Sequence, residues 1–146
     1  SKQVYIEPPS KERFFLKTGD LMLNWRSGSP AHVGKTAFFN LKGNFTYASF
    51  ILRIRCGDKL YNKYAYYLFN YFREIKFFTK DIAQQINFKM NATVFRKLEI
   101  PLPPLDEQKD FSKNIDQIEN VIENTNNKYL SSINLQKSLI NEIFSA

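Results

Sequence analysis

The sequence predicts an α+β chain: a small mixed, mostly antiparallel β domain with short helices over residues 1–105, then a long coiled-coil-forming helix over residues 106–146. Three observations carry this. Short apolar stretches separated by Gly, Asp and Asn turn residues fill the first half of the chain. Pro101, Pro103 and Pro104 stand within four residues, which neither a central strand nor a helix tolerates, and so mark a boundary. Beyond them Asp106–Ser145 holds no Gly or Pro, and its apolar residues recur in alternating steps of four and three.

In chain order, Gly19-Asp20 is a turn signal and Leu21-Met22-Leu23 a strand. A polar loop, Arg26–Lys35, follows. Thr36–Leu41 resumes a strand pattern, Lys42-Gly43-Asn44 reads as a hairpin turn, and Phe45–Arg55 as the returning strand. Within it Phe50, Leu52 and Ile54 alternate with Ile51, Arg53 and Arg55, a half-buried strand with basic groups on its other face. From Leu60 to Phe78 the period becomes helical, with Tyr61, Tyr64, Ala65, Leu68, Phe69, Phe72 and Ile75 on one stripe. Such a stripe suits a base-stacking platform or a core face, and the core reading is preferred because amphipathic helices bury their apolar side. Thr79–Asn91 is polar, and Leu98, Ile100 and Leu102 then alternate into the prolines. In the tail, Phe111, Ile115, Ile118, Ile122, Thr125 and Tyr129 form a narrow seam that shifts to Leu130, Ile133, Ile140 and Phe144. A helix of that length measures about 60 Å. One apolar stripe along it calls for a partner helix, or else for folding back on its own domain.

Composition narrows the function. With 43% apolar residues, 14 Phe and 8 Tyr, the 146-residue chain can bury a core without a disulfide or metal staple. A single cysteine, Cys56, and a single histidine, His32, cannot complete a zinc site, and they suit a reducing compartment. No apolar run reaches the roughly 18–20 residues of a membrane span and the N-terminus lacks a signal-peptide pattern, so no membrane role and a cytoplasmic location are expected. The net charge of +7 is uneven. Residues 1–105 carry 17 Lys/Arg against 7 Asp/Glu, and residues 106–146 carry 4 against 7. A basic body suggests a polyanionic partner, and a mildly acidic tail suggests protein.

Ile100-Pro101-Leu102-Pro103-Pro104-Leu105-Asp106-Glu107-Gln108 resembles the I-P-L-P-P-L-x-E-Q junction that closes a target-recognition domain in the DNA-specificity subunits of type I restriction–modification systems. Gln84-Gln85-Ile86-Asn87 is similar to that family's Q-x-x-I-N lead-in, and Gly19–Ser29 with Gly34-Lys35 to its G-D-I-L-x-x-R-x-G-S…G-K segment. Leu135–Ser145 resembles the end of its conserved helix. The family's recognition domain opens with a further N-terminal segment, and a full subunit carries two such domains, so the chain resembles a half-subunit, a fragment or a truncated product. The resemblance implies a non-catalytic reader of one half of a bipartite site in double-stranded DNA, without a cofactor of its own. Its helix would pair with a second specificity domain or a second copy. It would also dock DNA adenine methyltransferase subunits, which bring S-adenosylmethionine, and a restriction/translocase subunit would join them.

Reading bases needs donors and acceptors at base edges, held in register by phosphate contacts. Arg26 suits a fork onto guanine, Ser27 and Ser29 suit base edges or phosphates, and Gly28 and Gly34 permit close backbone approach. Lys35 and Lys89 suit phosphates, Gln85 and Asn87 have the amide geometry for adenine, and Arg53 and Arg55 would widen the positive surface. In the competing reading Gly28, Pro30 and Gly34 merely shape a solvated turn, and Gln85 and Asn87 cap local backbone. Two other functions compete. One is a helix-mediated interaction protein with an incidental basic surface. The other is a metal-dependent nuclease using Asp58 and Glu74-Ile75-Lys76, disfavoured because that segment reads as helix where the chemistry needs a strand.

Overall fold

The computed structural model describes residues 7, 9, 11–79, 88, 89 and 92–144. The chain divides into two compact units, Ser1–Lys109 and Asp110–Ala146. The first is built on strands β1 (Leu21–Asn24), β2 (Arg26–Ser27), β3 (Thr36–Phe38), β4 (Ile51–Ile54) and β5 (Phe88–Lys89), with helices α1 (Asn62–Glu74) and α2 (Ala92–Phe95). Helix α3 (Leu105–Phe144) gives its first turn to this unit, and the remainder of α3 is the second.

β1 is the central strand of a three-stranded sheet in the order β3-β1-β4, and every pairing among the described strands is antiparallel. Its alternation is the reason. Leu21 and Leu23 are fully buried, Leu21 standing opposite Phe38 and Ile54, and Leu23 opposite Thr36 and Leu52. Helix α1 covers that face with Ala65, Phe69 and Phe72, and Tyr64 is buried as well, so the stripe is core except at its exposed end, Ile75. Phe77 stacks on Phe72 at 4.5 Å between ring centroids, and Phe95 of α2 meets Phe69 edge-on at 5.4 Å. Burying each such side chain stabilises the unit by about 1.5–3 kcal/mol.

Three expectations need correction. Lys42-Gly43-Asn44 does not turn a hairpin, because β3 and β4 pair with opposite edges of β1 rather than with each other; the chain between them crosses over. The buried leucines of β1 claim the centre, and a β3–β4 hairpin would have left them at an edge. Leu98, Ile100 and Leu102 lie outside any strand: Leu98 and Ile100 pack on the core, whereas Leu102 is 50% exposed. Arg53 lies on the outer face of β4 and Arg55 one residue past its end, but their guanidinium groups serve the fold. Nη1 of Arg53 donates to the carbonyls of Arg13 (2.5 Å) and Phe15 (3.2 Å), and its guanidinium lies 5.8 Å from the Tyr47 ring. Arg55 grips both carboxylate oxygens of Asp20 at 2.7 Å.

Asp20 is 1% exposed and also accepts from the Lys17 N–H at 2.8 Å. Burial pushes its carboxyl up, but the Arg55 hydrogen bond, the Lys17 N–H and the charges of Arg55 and Arg53 together hold it below the usual carboxylate value. The proline segment is fixed by one amide. Gln108, fully buried, accepts the Tyr61 N–H through Oε1 at 2.8 Å, and its Nε2 donates to the carbonyls of Lys59 (3.0 Å) and Pro103 (2.8 Å). The Tyr64 hydroxyl adds a bond to the Pro101 carbonyl at 3.1 Å.

In the second unit, α3 exposes Phe111, Ile118, Val121, Ile122, Tyr129, Leu130, Leu135, Leu139, Ile140, Ile143 and Phe144, between 45% and 83% each. The hydroxyls of Thr125, Ser131 and Ser132 bond back to the carbonyl four residues earlier, so these polar side chains are satisfied within the helix.

Two outcomes follow from the buried polar groups. Gln108→Ala should cost about 3 kcal/mol in urea unfolding, because it strands buried backbone groups. Gln108→Glu should cost at least as much at pH 7, where its second oxygen faces two carbonyls, and recover as acid protonates it into a donor. Asp20→Asn should cost about 1–2 kcal/mol at pH 7, a modest figure because the Arg55 side chain is 42% exposed. Since the folded Asp20 pKa is lowered, its contribution is complete above the unfolded value near 3.8 and fades as pH falls through the folded one. Wild type and Asp20→Asn should therefore converge in stability as the pH falls below 3.8 and through the lowered folded value.

Candidate nucleic-acid interface

The Arg26–Lys35 segment leaves the end of β1 and returns to the start of β3, closed at a narrow neck. The Asn24 N–H donates to the Lys35 carbonyl at 2.9 Å, and the Gly34 N–H donates to the Asn24 carbonyl at 2.8 Å. Asn24 Oδ1 also accepts the Arg26 N–H at 3.2 Å, which turns the chain out of β1. Ser27 Oγ accepts the Ser29 N–H at 3.2 Å, and a single 3-10 turn, Pro30–His32, carries the chain back. Trp25 anchors the near side: its ring packs on the core and its Nε1 donates to the Ser49 carbonyl at 2.9 Å.

The two glycines of the loop differ in kind. Gly34 has φ +84° and is buried over the Phe78 ring, into which a Cβ would collide, so the fold itself requires it. Gly28 has no left-handed φ, is exposed, and would meet nothing within 4 Å if it carried a Cβ. Neither backbone geometry nor packing asks for a glycine there. Arg26 and Lys35 are exposed, and Ser27 and Ser29 are half-buried.

Pairing of β2 with β5 sets Lys89 directly opposite Arg26, and Phe88 opposite Ser27. Six of the eight candidate residues thus come to one place: Arg26, Ser27, Gly28, Ser29 and Lys35 on the loop, and Lys89 beside it. Gln85 and Asn87 lie outside the described residues.

Sequence reasoning missed the residues that hold this loop. Asn70 of α1 bonds both backbone groups of Thr36, and Arg73 Nε donates to the Ala31 carbonyl at 3.1 Å. Asn24, two residues before Arg26, was the one local signal available. The competing chemistries find little support. Glu74 is paired with Arg73 at 2.8 Å, and no group of three His, Cys, Asp or Glu side chains converges among the described residues. Burial, then the charge of Asp20, pushes the Cys56 thiol up to about 11, so it is protonated and unreactive near neutrality. Among the described residues no helix is long and apolar enough to cross a membrane.

Comparisons with known proteins agree with this architecture. Residues 2–135 match the family described as the type I restriction modification DNA specificity domain. The chain is 29% identical over 151 residues to a protein of Methanocaldococcus jannaschii named as a type I restriction enzyme MjaX specificity subunit, covering 99% of this chain and 35% of that protein. A solved structure described as the basis of complex assembly and conformational transition of the type I R-M system shares the fold, with a TM-score of 0.63 and 22% identity over 82% of this chain and 26% of its own. The chain spans about a third of that relative and about a quarter of that solved chain. The family is one of DNA specificity rather than catalysis, in keeping with a reader that performs no chemistry itself. On its sequence match and its fold, the chain belongs to the type I restriction–modification DNA specificity domain family.

Proposed function

We propose that residues 1–105 read one half of a bipartite site in double-stranded DNA, and that residues 106–146 join this reader to its partners. The observation that carries the reading is the loop with an exposed Arg26, an exposed Lys35 and, between them, a glycine that the fold does not need. Arg26, Ser27 and Ser29 present donors for base edges, while Lys35 and Lys89 hold phosphates. Gly28 leaves room for the nucleic-acid backbone to approach. Gln85 and Asn87 belong to the proposed interface on their amide chemistry alone.

The exposed seam of α3 is the proposed contact with a second specificity domain or a second copy of this chain, and with DNA adenine methyltransferase subunits. Those subunits would supply S-adenosylmethionine and the methyl transfer, a restriction/translocase subunit would add cleavage, and the assembly would work in the cytoplasm.

Binding of duplex DNA should weaken steeply with salt, with a slope of about 0.9 per neutralised phosphate on logarithmic axes. Arg26→Ala should lower affinity for the preferred half-site about tenfold and spare random duplex. Lys35→Ala and Lys89→Ala should weaken both and flatten the slope by about one unit. Gly28→Ala should keep wild-type stability yet bind less well, whereas Gly34→Ala should lose stability first. A flat salt response would favour the interaction-protein reading.

For the helix, sedimentation equilibrium of the full chain should give a mass above the monomer that falls when Ile118 and Ile122 are both replaced by Asp. A monomer in both cases, with no methyltransferase subunit retained by either, would reject the docking role.

A further inference from the structure

We propose that Asn70 is a positioning residue for DNA reading: from α1 it holds the base of the Arg26–Lys35 loop and thereby sets which base pairs the loop distinguishes. This rests on the DNA-reading role proposed above, and Asn70 itself need not touch DNA.

Among the described strands β3 lies at the edge of its sheet, and Thr36 begins it directly after the loop ends. In an antiparallel ladder alternate residues point their N–H and C=O away from the partner strand. Those outward groups of Thr36 are taken by one side chain. Asn70 Oδ1 accepts the Thr36 N–H at 3.2 Å, and Nδ2 donates to the Thr36 carbonyl at 3.1 Å and to the Tyr66 carbonyl of its own helix at 3.0 Å. The amide thus stands in for a neighbouring strand and locks the edge of the sheet to α1.

Two further contacts reach the loop, one from the end of α1 and one from the 3-10 turn Phe77–Thr79 that follows it. Arg73 Nε holds the Ala31 carbonyl, and the Phe78 ring underlies Gly34. The Thr36 hydroxyl closes the set on the Gly34 carbonyl at 3.0 Å. Positions 31, 34 and 36 are therefore held by α1, the Phe78 ring and the Thr36 hydroxyl, while Arg26 and Gly28 are exposed and Ser27 and Ser29 half-buried. Lys35 sits between two fixed positions, so a shift of Thr36 changes its distance from Arg26 across the loop. Base readout depends on that spacing, because a fork onto a base edge tolerates little displacement once the phosphate contacts set the register. Non-specific attraction to phosphate does not depend on it.

The experiment selects a duplex pool with a randomised half-site on the full chain and sequences what is bound, alongside amide hydrogen exchange of the free protein. In Asn70→Ala the Thr36 amide should exchange faster, enrichment of the sequences preferred by wild type should fall about tenfold, and affinity for random duplex and its salt slope should stay unchanged. Asn70→Gln, which keeps the amide, should lie between the two and serves if the alanine variant does not fold. Asn62→Ala, at the other end of α1 and bonded to the Gly19 carbonyl at 3.4 Å, should leave enrichment intact. Faster Thr36 exchange with unaltered enrichment overturns the inference and leaves DNA reading in place. Equal losses on preferred and random duplex also overturn it, by making Asn70 a general support. A wild-type chain that neither binds nor sorts the pool overturns the DNA-reading role itself.

Discussion

The first unit depends on a four-residue strand buried at the centre of its sheet. β1 has only Leu21 and Leu23 to hold it by burial, and so short a strand cannot fix its own ends. Side chains do so instead. At its start the Asp20 carboxylate binds the Lys17 N–H and the Arg55 fork, and at its end Asn24 closes the neck of the loop. One end is a charged clamp in the core's margin, and the other launches the candidate interface. The same packing that places the leucines centrally thus decides where the loop emerges.

That arrangement revises the meaning of the positive charge. The surplus of Lys and Arg over residues 1–105 is real, but Arg53, Arg55 and Arg73 turn their guanidinium groups onto backbone carbonyls or a carboxylate of the same unit. Such groups offer little to a phosphate without first giving up native bonds. The charge left for a ligand is therefore smaller than composition alone implies, and the exposed Arg26 and Lys35 are part of it.

How much was legible follows from the range of each interaction. Helical and strand periods are local, so α1, α3, β1 and the core role of the aromatic stripe could be read directly. The Arg26–Lys35 loop was legible too, as a polar interval with two glycines. Strand order was not. Lys42-Gly43-Asn44 has good hairpin chemistry, and only the competition of β3 and β4 for the two edges of β1 overrides it. Asn70 was equally hidden, since a polar residue on an amphipathic helix looks solvated until the partner strand is in place. Gly28 and Gly34 look alike in sequence, and the Phe78 ring separates them.

The lone Cys56 has a practical consequence. Half-buried, with its thiol pushed up to about 11 chiefly by burial, it holds less thiolate at neutral pH than an ordinary exposed cysteine. Maleimide and nitroxide reagents attack the thiolate, so the native residue should label slowly. A second cysteine placed on an exposed position of α3, such as Asn127, could then carry a probe selectively. Such a label would test association of the helix in the otherwise native chain.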